Sequence, residues 1–237
     1  MTETLLAAGA GAALGWIAGG VVGLAVTGAV VGGVNGALAG HRRIHDWRSP
    51  TSTGWFVLDS TWALPTTAAA LFVHVVAHLR RRPGYAAHLS ERRDRHVYAR
   101  GFQVRRGFAV TVGNVVNGIG DPTDPRRVRL VEDHEDVHIR QTRLLGPLFP
   151  LLYGGWMVVG ALVGASMWVV RHRGVRPGRV IETYAYYLNP FEWWAYSRDA
   201  AWPPVGKVAD IGWRRPAVRS FAERRAALSR VAGGADR

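Results

Sequence analysis

Two histidines and a glutamate near the middle of the chain have the spacing of a metal site. In the segment His134-Glu135-Asp136-Val137-His138 the histidines are four residues apart, so on a helix both imidazoles lie on one face. Two imidazoles placed in this way can bind one zinc ion, and Glu135 lies beside them, where it can accept a proton from metal-bound water. The pattern predicts zinc ligation by His134 and His138, with Glu135 as the catalytic base.

The neighbouring sequence extends this pattern over two further segments. The chain reads His-Glu-x-x-His-x-x-Gln over 134–141, then Gly-Pro-Leu-Phe over 146–149, and later Asn-Pro-Phe-Glu-Trp-Trp-Ala over 189–195. Over about residues 105–200 it resembles a branch of the HExxH zinc metallopeptidase-like proteins that includes bacterial membrane proteins.

The resemblance implies a zinc site of the gluzincin type, in which a glutamate further along the chain is the third ligand. Carried over to this sequence, the zinc ligands are His134, His138 and Glu192, and the general base is Glu135. Gln141 lies on the same helical face as the histidines, where it can support them with a hydrogen bond.

The chain departs from the zincin patterns at two positions. Leu144 stands where metzincins have a third histidine, which excludes that branch, and Asp136 stands where zincins usually have an uncharged residue. Glu182 is the alternative third ligand, although no motif surrounds it. The candidates for stabilising an oxyanion, each of which is more simply explained by packing or anchoring at a membrane surface, are Tyr184, Tyr186 and Tyr187.

A second histidine pair, His74 and His78, has the same spacing within an apolar segment. Ionisable residues inside a membrane are candidates for function. The pair is similar to the histidine boxes of membrane di-iron hydroxylases, but those enzymes also need HxxHH boxes, which this chain lacks. A structural role near the end of a helix, beside Arg80, is the favoured interpretation.

Long uncharged runs predict a membrane protein. Residues 4–40 and 144–170 contain no Asp, Glu, Lys or Arg, and each run exceeds the roughly 20 residues that cross the hydrocarbon layer of a bilayer. A further span is predicted over residues 60–79, entered by Asp59-Ser60 as a helix cap. The chain has no cysteine, which excludes disulfides and thiolate metal ligands. We therefore expect a multi-pass protein of the cell membrane, with the lipid bilayer as a partner.

Basic residues gather at the ends of the apolar runs. The chain has 30 Lys and Arg residues against 17 Asp and Glu residues, a formal net charge of +13. Arginines that flank membrane segments favour anionic lipid and a cytoplasmic location, and they disfavour nucleic acid as the partner. The metal site is accordingly expected on the cytoplasmic side. The clusters are Arg42-Arg43, Arg80-Arg81-Arg82, Arg140 with Arg143, and Arg171, Arg173, Arg176 and Arg179.

Glycines repeat every four residues along the first apolar run, in two blocks. On a helix this spacing makes a smooth groove that another backbone can approach closely, as in glycine-zipper helices. A tight hairpin of two short helices and one long tilted helix both fit the run, and the same grooves permit a homo-oligomer. The blocks are Gly11, Gly15, Gly19 and Gly23, and Gly28, Gly32, Gly36 and Gly40.

These elements predict a mainly α membrane protein, with glycine-zipper helices, a zincin-like helical metal site and a small β-hairpin. The hairpin is expected from residues 96–103 and 108–116, around Arg105-Arg106-Gly107. In zincin folds an edge strand near the metal aligns an extended peptide, and residues 108–116 are the candidate for that role. The expected regions are a membrane anchor over 1–82, a zincin-like domain over 83–205 and a basic amphipathic tail over 206–237.

The third apolar run, residues 145–170, is subject to a topological constraint. If Glu192 and the two histidines bind one metal ion, they lie on the same side of the membrane, which a single crossing by this run would prevent. Arginines beyond both ends of the run also favour two cytoplasmic ends. We therefore expect a re-entrant or interfacial hairpin, bent near Pro150 or Gly154-Gly155.

The favoured function is a multi-pass membrane zinc-dependent hydrolase, and among hydrolases a metallopeptidase that acts on a peptide or protein at the membrane interface. The alternative is a non-catalytic membrane protein, in which the glycine zippers drive assembly and the HExxH helix carries a structural or degenerate metal site.

Overall fold

A computed structural model gives the structure of residues 1–79, 84–101, 108–197 and 202–223. Within these residues the chain is mainly helical, with one three-stranded sheet, which confirms the predicted fold class at that level. The chain divides into two compact units, Met1–Phe149 and Pro150–Arg237. The predicted arginine cluster at 80–82 and the predicted turn at 105–107 lie outside the described residues.

The first apolar run forms an antiparallel helical hairpin. Helix α1 spans Thr2–Val21 and helix α2 spans Ala25–His41. Gly23 lies between them with φ +75°, a conformation that glycine adopts more easily than other residues. Of the two arrangements that the sequence allowed, the structure shows the hairpin and not one long tilted helix.

Facing glycines bring the backbones of α1 and α2 into contact. A Cβ atom added to Gly11 would overlap the carbonyl oxygen of Gly32, and one added to Gly15 would overlap that of Gly28. Helix α1 is long and apolar enough to cross a membrane. Because small residues occupy the contact, large apolar side chains lie exposed on the outside of the hairpin, among them Leu5, Leu6, Trp16, Ile17, Val26, Val30 and Val34.

A sharp bend divides the span predicted over residues 60–79. Helix α3 spans Pro50–Ser60, helix α4 spans Leu64–Leu79, and the two are bent by 87°. Asp59 does not cap a helix as predicted, because its carboxylate forms an ion pair with Arg143. Instead Ser49 caps α3 through a hydrogen bond to its side chain. Together α3 and α4 are apolar enough to form a broken span or a re-entrant segment.

The small sheet has a different pairing from the predicted hairpin. Strand β1 spans His96–Tyr98, β2 spans Val110–Val112 and β3 spans Val115–Asn117. The central strand is β3, parallel to β1 and antiparallel to β2, so the two predicted partners do not pair with each other. The actual hairpin joins β2 to β3 through Gly113-Asn114. Its glycine has φ +55°, as the first position of a type II′ turn requires.

The segment that carries the two histidines is helical throughout but changes its winding. Helix α5 spans Pro125–Arg129, a π-helical segment spans Leu130–Glu135, and helix α6 spans Asp136–Leu145. π-Helical turns are rare and occur frequently at functional sites. Here the π-helical segment contains His134 and Glu135, the residues that the sequence places in the metal site.

A buried ion pair joins α6 to α3. Arg143 donates two hydrogen bonds to the Asp59 carboxylate, at 2.9 and 2.7 Å, and one to the carbonyl oxygen of Asp94 at 2.6 Å. Burial alone would lower the pKa of Arg143, but the adjacent Asp59 carboxylate raises it overall, so the guanidinium stays charged. Arg143 is therefore a buried structural residue and not part of a basic cluster at the membrane surface.

The third apolar run forms one continuous helix and not the expected hairpin. Helix α7 spans Leu148–Arg171 and is long and apolar enough to cross a membrane. Pro150 lies in its first turn, where a missing N–H costs little. The helix continues through Gly154 and Gly155, where added Cβ atoms would meet no neighbour within 4 Å.

Three short helical segments follow α7. Helix α8 spans Pro177–Glu182, a second π-helical segment spans Thr183–Tyr187, and helix α9 spans Pro190–Ala195. Of the predicted basic amphipathic tail, residues 206–237, the part up to residue 220 consists mainly of turns and bends, and residues 224–237 lie outside the described part of the chain.

These segments run back along α7 in the antiparallel direction. Gly164 of α7 lies against the backbone of Ile181, and the Tyr153 hydroxyl, nearer the start of α7, donates a hydrogen bond to Glu192. The return path brings Glu192 beside the N-terminal part of α7. Within the second unit the chain therefore returns through helical segments after α7, without a bend inside that helix.

Replacing Gly15 by alanine tests the contact between α1 and α2. The added methyl would overlap the carbonyl oxygen of Gly28, so we expect a loss of about 1–3 kcal/mol in stability. Gly9→Ala is the matched control, because nothing lies within 4 Å of its added Cβ and helix propensity favours alanine by about 0.5–1 kcal/mol. The measurement is thermal unfolding in detergent. Equal melting temperatures for the two variants would contradict the observed packing.

Replacing Asp59 by asparagine tests the buried ion pair. The change leaves the Arg143 charge buried without its partner, which costs about 3–5 kcal/mol. Glu91→Gln is the control, because Glu91 pairs with Arg43 at 3.9 Å on the surface, where such pairs contribute about 0–1 kcal/mol. Chemical unfolding should show a clear difference in stability between the two variants. A stability loss below about 1 kcal/mol for Asp59→Asn would argue against a central role of the ion pair in the fold.

Candidate metal centre

His134 and His138 lie side by side, as their spacing predicts. Their rings are nearly perpendicular, with centroids 4.7 Å apart, and their Nε2 atoms are separated by 3.2 Å. Both side chains are buried. Two nitrogens bound tetrahedrally to zinc at about 2.0–2.1 Å are themselves about 3.3 Å apart, so the observed separation suits two ligands of one ion.

Gln141 determines which nitrogen of His138 remains available for a metal. Its side-chain oxygen Oε1 lies 2.9 Å from Nδ1 of His138. Because an amide oxygen only accepts hydrogen bonds, Nδ1 carries the ring proton and Nε2 keeps its lone pair. Gln141 is itself fully buried, which holds this contact in place. The support from Gln141 that the sequence suggested is therefore present at His138.

Glu192 joins the two histidines in a group that could hold a metal ion. Each residue offers one ligand atom, and these atoms lie within 4.8 Å of one another. Glu182, the alternative third ligand, is half-buried at the end of α8 and is not a member of this group. Two imidazole nitrogens and one carboxylate oxygen are a donor set that zinc and similar transition-metal ions accept.

Glu135 is held beside the histidine pair by a strand of the sheet. Its Oε2 atom accepts a hydrogen bond of 2.6 Å from the hydroxyl of Thr111 on β2, and its Oε1 atom lies 4.0 Å from Nε2 of His134. The side chain is only 4% exposed. One carboxylate oxygen is thus fixed by the sheet while the other lies near the histidines, which is the orientation that a general base requires.

The acidic residue that follows Glu135 has partners of its own. The Asp136 carboxylate lies 2.8 Å from the guanidinium of Arg95 through one oxygen and 2.8 Å from that of Arg140 through the other. Arg95 is buried and also donates a hydrogen bond to the carbonyl oxygen of Leu89. The extra carboxylate that distinguishes this sequence from the usual zincin pattern is therefore paired with two arginines.

Within the second unit, two elements position Glu192. Asn189 begins α9 by accepting a hydrogen bond from the Phe191 N–H at 3.0 Å, which places Glu192 in the first turn of that helix. The hydroxyl of Tyr153 on α7 donates to Oε1 of Glu192 at 2.7 Å. The Glu192 side chain is buried at 2% exposure, so both contacts restrict its carboxylate.

Two of the tyrosines suggested as oxyanion stabilisers have packing contacts. The hydroxyl of Tyr186 lies 3.2 Å from that of Tyr196, and the ring of Tyr187 packs against Trp202 with centroids 5.7 Å apart. Tyr184 is half-buried on the same π-helical segment. The contacts of Tyr186 and Tyr187 agree with the simpler interpretation of these two residues.

The second histidine pair is part of a hydrogen-bonded cluster. Nδ1 of His74 lies 2.8 Å from the Tyr98 hydroxyl, while His78 donates from Nδ1 to the backbone oxygen of His74 and lies 3.2 Å from Arg42 through Nε2. Burial lowers the pKa of the neighbouring His96 well below its ordinary value, so that ring stays neutral. Among the described residues these histidines form no group of three metal ligands.

A serine, a histidine and an aspartate also meet near α3, but without the geometry of a nucleophile. Asp94 lies 2.7 Å from Nδ1 of His45 and accepts a hydrogen bond from the Ser52 hydroxyl. In a catalytic triad the serine and the aspartate bond to opposite nitrogens of the histidine, whereas here both lie on the Nδ1 side. Burial alone would raise the pKa of Asp94, but these hydrogen bonds lower it overall.

Three contacts of the site were not predicted from the sequence. Thr111, Arg95 and Tyr153 lie 24, 41 and 39 positions from their respective partners Glu135, Asp136 and Glu192. No local pattern predicts such contacts, because they depend on the tertiary arrangement. The one available signal is Tyr153, the only tyrosine within the uncharged run 144–170.

Comparison with known proteins assigns no family to this site. No protein-family model, curated protein or solved structure matches the chain. The resemblance to HExxH metallopeptidase-like proteins therefore rests on the motifs of the sequence and belongs to the proposed function.

Replacing Gln141 by leucine tests the orientation of His138. The variant removes the acceptor for Nδ1 at nearly constant side-chain size, so we expect zinc affinity to fall about 10–100-fold. Gln141→Glu, which keeps an oxygen acceptor, should retain most of the affinity. Competition with a chromophoric chelator measures both variants, and unchanged affinity in Gln141→Leu would contradict the role assigned to this hydrogen bond.

Proposed function

We propose that this chain is a membrane zinc-dependent hydrolase of the HExxH metallopeptidase type. The observation that carries the proposal is the group of His134, His138 and Glu192, with a fixed carboxylate, Glu135, next to it. Residues with these roles, at this spacing and with this orientation, are what water activation on a metal requires. The same arrangement is what the resemblance implies.

The residues fit zinc in number, chemistry and orientation. His134, His138 and Glu192 would be the three protein ligands, and a catalytic zinc site keeps its fourth position for water or substrate. Gln141 holds His138 in the tautomer that binds through Nε2, and Tyr153 orients the Glu192 carboxylate. When bound, zinc lowers the pKa of its water and polarises the scissile carbonyl.

Glu135 then has the proton-transfer role. Thr111 occupies one oxygen of its carboxylate, so the other, Oε1, accepts the proton of the attacking water and later delivers it to the leaving amine. The hydrogen bond from Thr111 prevents rotation of the carboxylate away from the histidines. The rest of the protein contributes by excluding bulk water, since the histidines and Glu135 are all buried.

An extended peptide is the substrate class that the sheet supports. Strand β2 carries Thr111, and within the described residues its only strand partner is β3, on one side. The other side offers main-chain groups to which an extended peptide can add as a further strand. The scissile bond would in this way be guided past Glu135.

The membrane location is part of the proposal. Helices α1 and α7 each have the length and the apolar composition of a span, and α3 with α4 form a possible broken span. We infer a multi-pass protein of the cell membrane. If α7 crosses the bilayer, the arginines after it lie on the face opposite the metal site, so the distribution of arginines no longer assigns that site to the cytoplasmic side. Because the proposal has His134, His138 and Glu192 bind one metal ion, we expect residues near 140 and 197 to lie at the same membrane face.

A topology measurement tests this arrangement, and the cysteine-free chain suits it well. Single cysteines replace Arg140, Gly174 and Ser197, three exposed residues before α7, just after it and after α9. We expect positions 140 and 197 to react with a membrane-impermeant maleimide from one face and position 174 from the other. Labelling of all three from the same face would show that α7 does not cross.

Low exposure of the site favours one alternative, a structural metal site without catalysis. Closed sites that bind a metal only to stabilise the fold are buried in the same way as His134 and His138. In that case the protein would be a non-catalytic membrane protein built on the α1–α2 hairpin. Zinc would then be retained, but Glu135 would have no role in any measurable reaction.

Substitution of three glutamates separates metal binding from catalysis. Glu192→Gln should weaken zinc binding, because a neutral amide is a poor replacement for a carboxylate ligand, whereas Glu182→Gln is the matched control and should leave zinc unchanged. Glu135→Gln should retain zinc and lose at least about 10²-fold in peptide hydrolysis.

Metal analysis and turnover of a peptide library measure these effects, with a hydroxamate probe to report an accessible metal. Loss of zinc in Glu182→Gln but not in Glu192→Gln would show that the third ligand is misassigned. A folded wild-type protein without zinc would overturn the proposed function. Full zinc content with no effect of Glu135→Gln on any reaction would favour the structural alternative.

A further inference from the structure

Helix α3 is oriented at a right angle to its apolar neighbour. The bend between α3 and α4 is 87°. The exposed residues of α4 before His78 are all apolar (Pro65, Ala69, Phe72 and Val75), which is the surface expected of a helix in contact with lipid chains. If α4 enters a bilayer along its normal, α3 therefore lies parallel to the membrane plane.

The exposed side of α3 has the composition of the interfacial layer. Between Ser49 and Leu58 it carries no charged residue, and an open groove of about 780 Å³ runs along it. Trp47, Trp55, Val57 and Leu58 supply apolar lining to this groove, and Arg48 lies at its N-terminal end. Tryptophans concentrate at membrane–water interfaces, because their rings are apolar while the indole N–H remains polar.

The turn between α3 and α4 also contacts α6, the helix that carries His138 and is called the metal helix below. The indole N–H of Trp62, in the turn between α3 and α4, donates to the carbonyl oxygen of Leu144 at 3.1 Å. Gly146 follows at the end of α6, and a Cβ atom there would overlap the Trp62 ring. The Asp59–Arg143 ion pair joins the same two helices. The depth of α3 in a bilayer would therefore determine the depth of α6.

We propose that α3 is an interfacial anchor that lies flat in the phospholipid headgroup layer and holds the metal helix at that depth. This inference rests on the membrane location included in the proposed function. Trp55 of α3, Trp47 just before it and the apolar groove contact the upper parts of the acyl chains, while the Arg48 guanidinium pairs with a lipid phosphate. Amphipathic helices bind membranes in this orientation, with the apolar face about 5–10 Å into the boundary layer.

Phospholipid suits this surface better than a protein partner. Arg48 is exposed, and among the described residues its guanidinium has no carboxylate partner, so a phosphate can approach it. The surface is continuous along the chain with α4, whose exposed face requires an apolar environment. A protein partner would have to cover α3 while leaving the adjoining lipid-facing residues of α4 in the bilayer.

Spin labels at single cysteines measure the depth of each position in nanodiscs of phosphatidylcholine and phosphatidylglycerol. Thr51, Gly54 and Val57 report on the exposed side of α3, and a Cβ added to Gly54 meets no neighbour. Ala69 and Val75 report on α4. Depth is obtained from the relative accessibility of the label to oxygen and to a water-soluble nickel chelate.

The expected result is one shallow depth for positions 51, 54 and 57, within about 3 Å, and a change of about 9 Å between positions 69 and 75 from the helical rise of 1.5 Å per residue. A change of about 9 Å between positions 51 and 57 would place α3 within the span and overturn the anchor, while leaving the membrane location intact. Water exposure of α3 with a lipid-buried α4 would overturn it as well. If α4 is also exposed to water, the membrane location falls together with the anchor.

Discussion

The ion pair between Asp59 and Arg143 is the interaction on which the first unit depends. It is bidentate and almost fully buried, and Arg143 uses a further hydrogen bond to hold the backbone of Asp94. Asn114, in the turn between β2 and β3, lies within 3.4 Å of the same Asp59 carboxylate. The two residues of the pair thus connect α3, α6, the loop before β1 and the β2–β3 turn. The loss of either charge would leave the other buried, which explains why the network contains a matched pair.

In the candidate metal site, this framework holds the side chains of Glu135 and His138 in position. The sheet that the network anchors presents Thr111 to Glu135. Gln141, two residues before Arg143 on the same helix, orients His138. Glu135 and His138, the proposed base and one proposed ligand, are therefore each held by a hydrogen bond to a neutral side chain, which fixes geometry without adding charge to the site. Arg95 and Arg140 similarly balance Asp136.

Local patterns predicted the histidine pair and failed where the path of the chain decides the structure. The spacing of His134 and His138 determines their proximity because any helix brings such residues together. The return of the chain along α7 was not predicted, because Pro150 is compatible with both a bend and a first helical turn. The pairing of β2 with β3 was missed because the two-residue turn at Gly113 lies inside what reads as one strand. The contacts of Thr111 and similar residues arise only from tertiary packing, for which one sequence carries no signal.

The central claim is that His134 and His138 bind one metal ion through Nε2. X-ray absorption at the zinc edge of the purified protein, loaded with one equivalent of zinc, tests it most directly. We predict a shell of nitrogen and oxygen ligands at about 2.0–2.1 Å, with the outer-shell scattering of two imidazoles and no sulfur. The scattering of both imidazoles should disappear in His134→Ala/His138→Ala. A spectrum with oxygen ligands alone, or one that this double substitution leaves unchanged, would contradict the account.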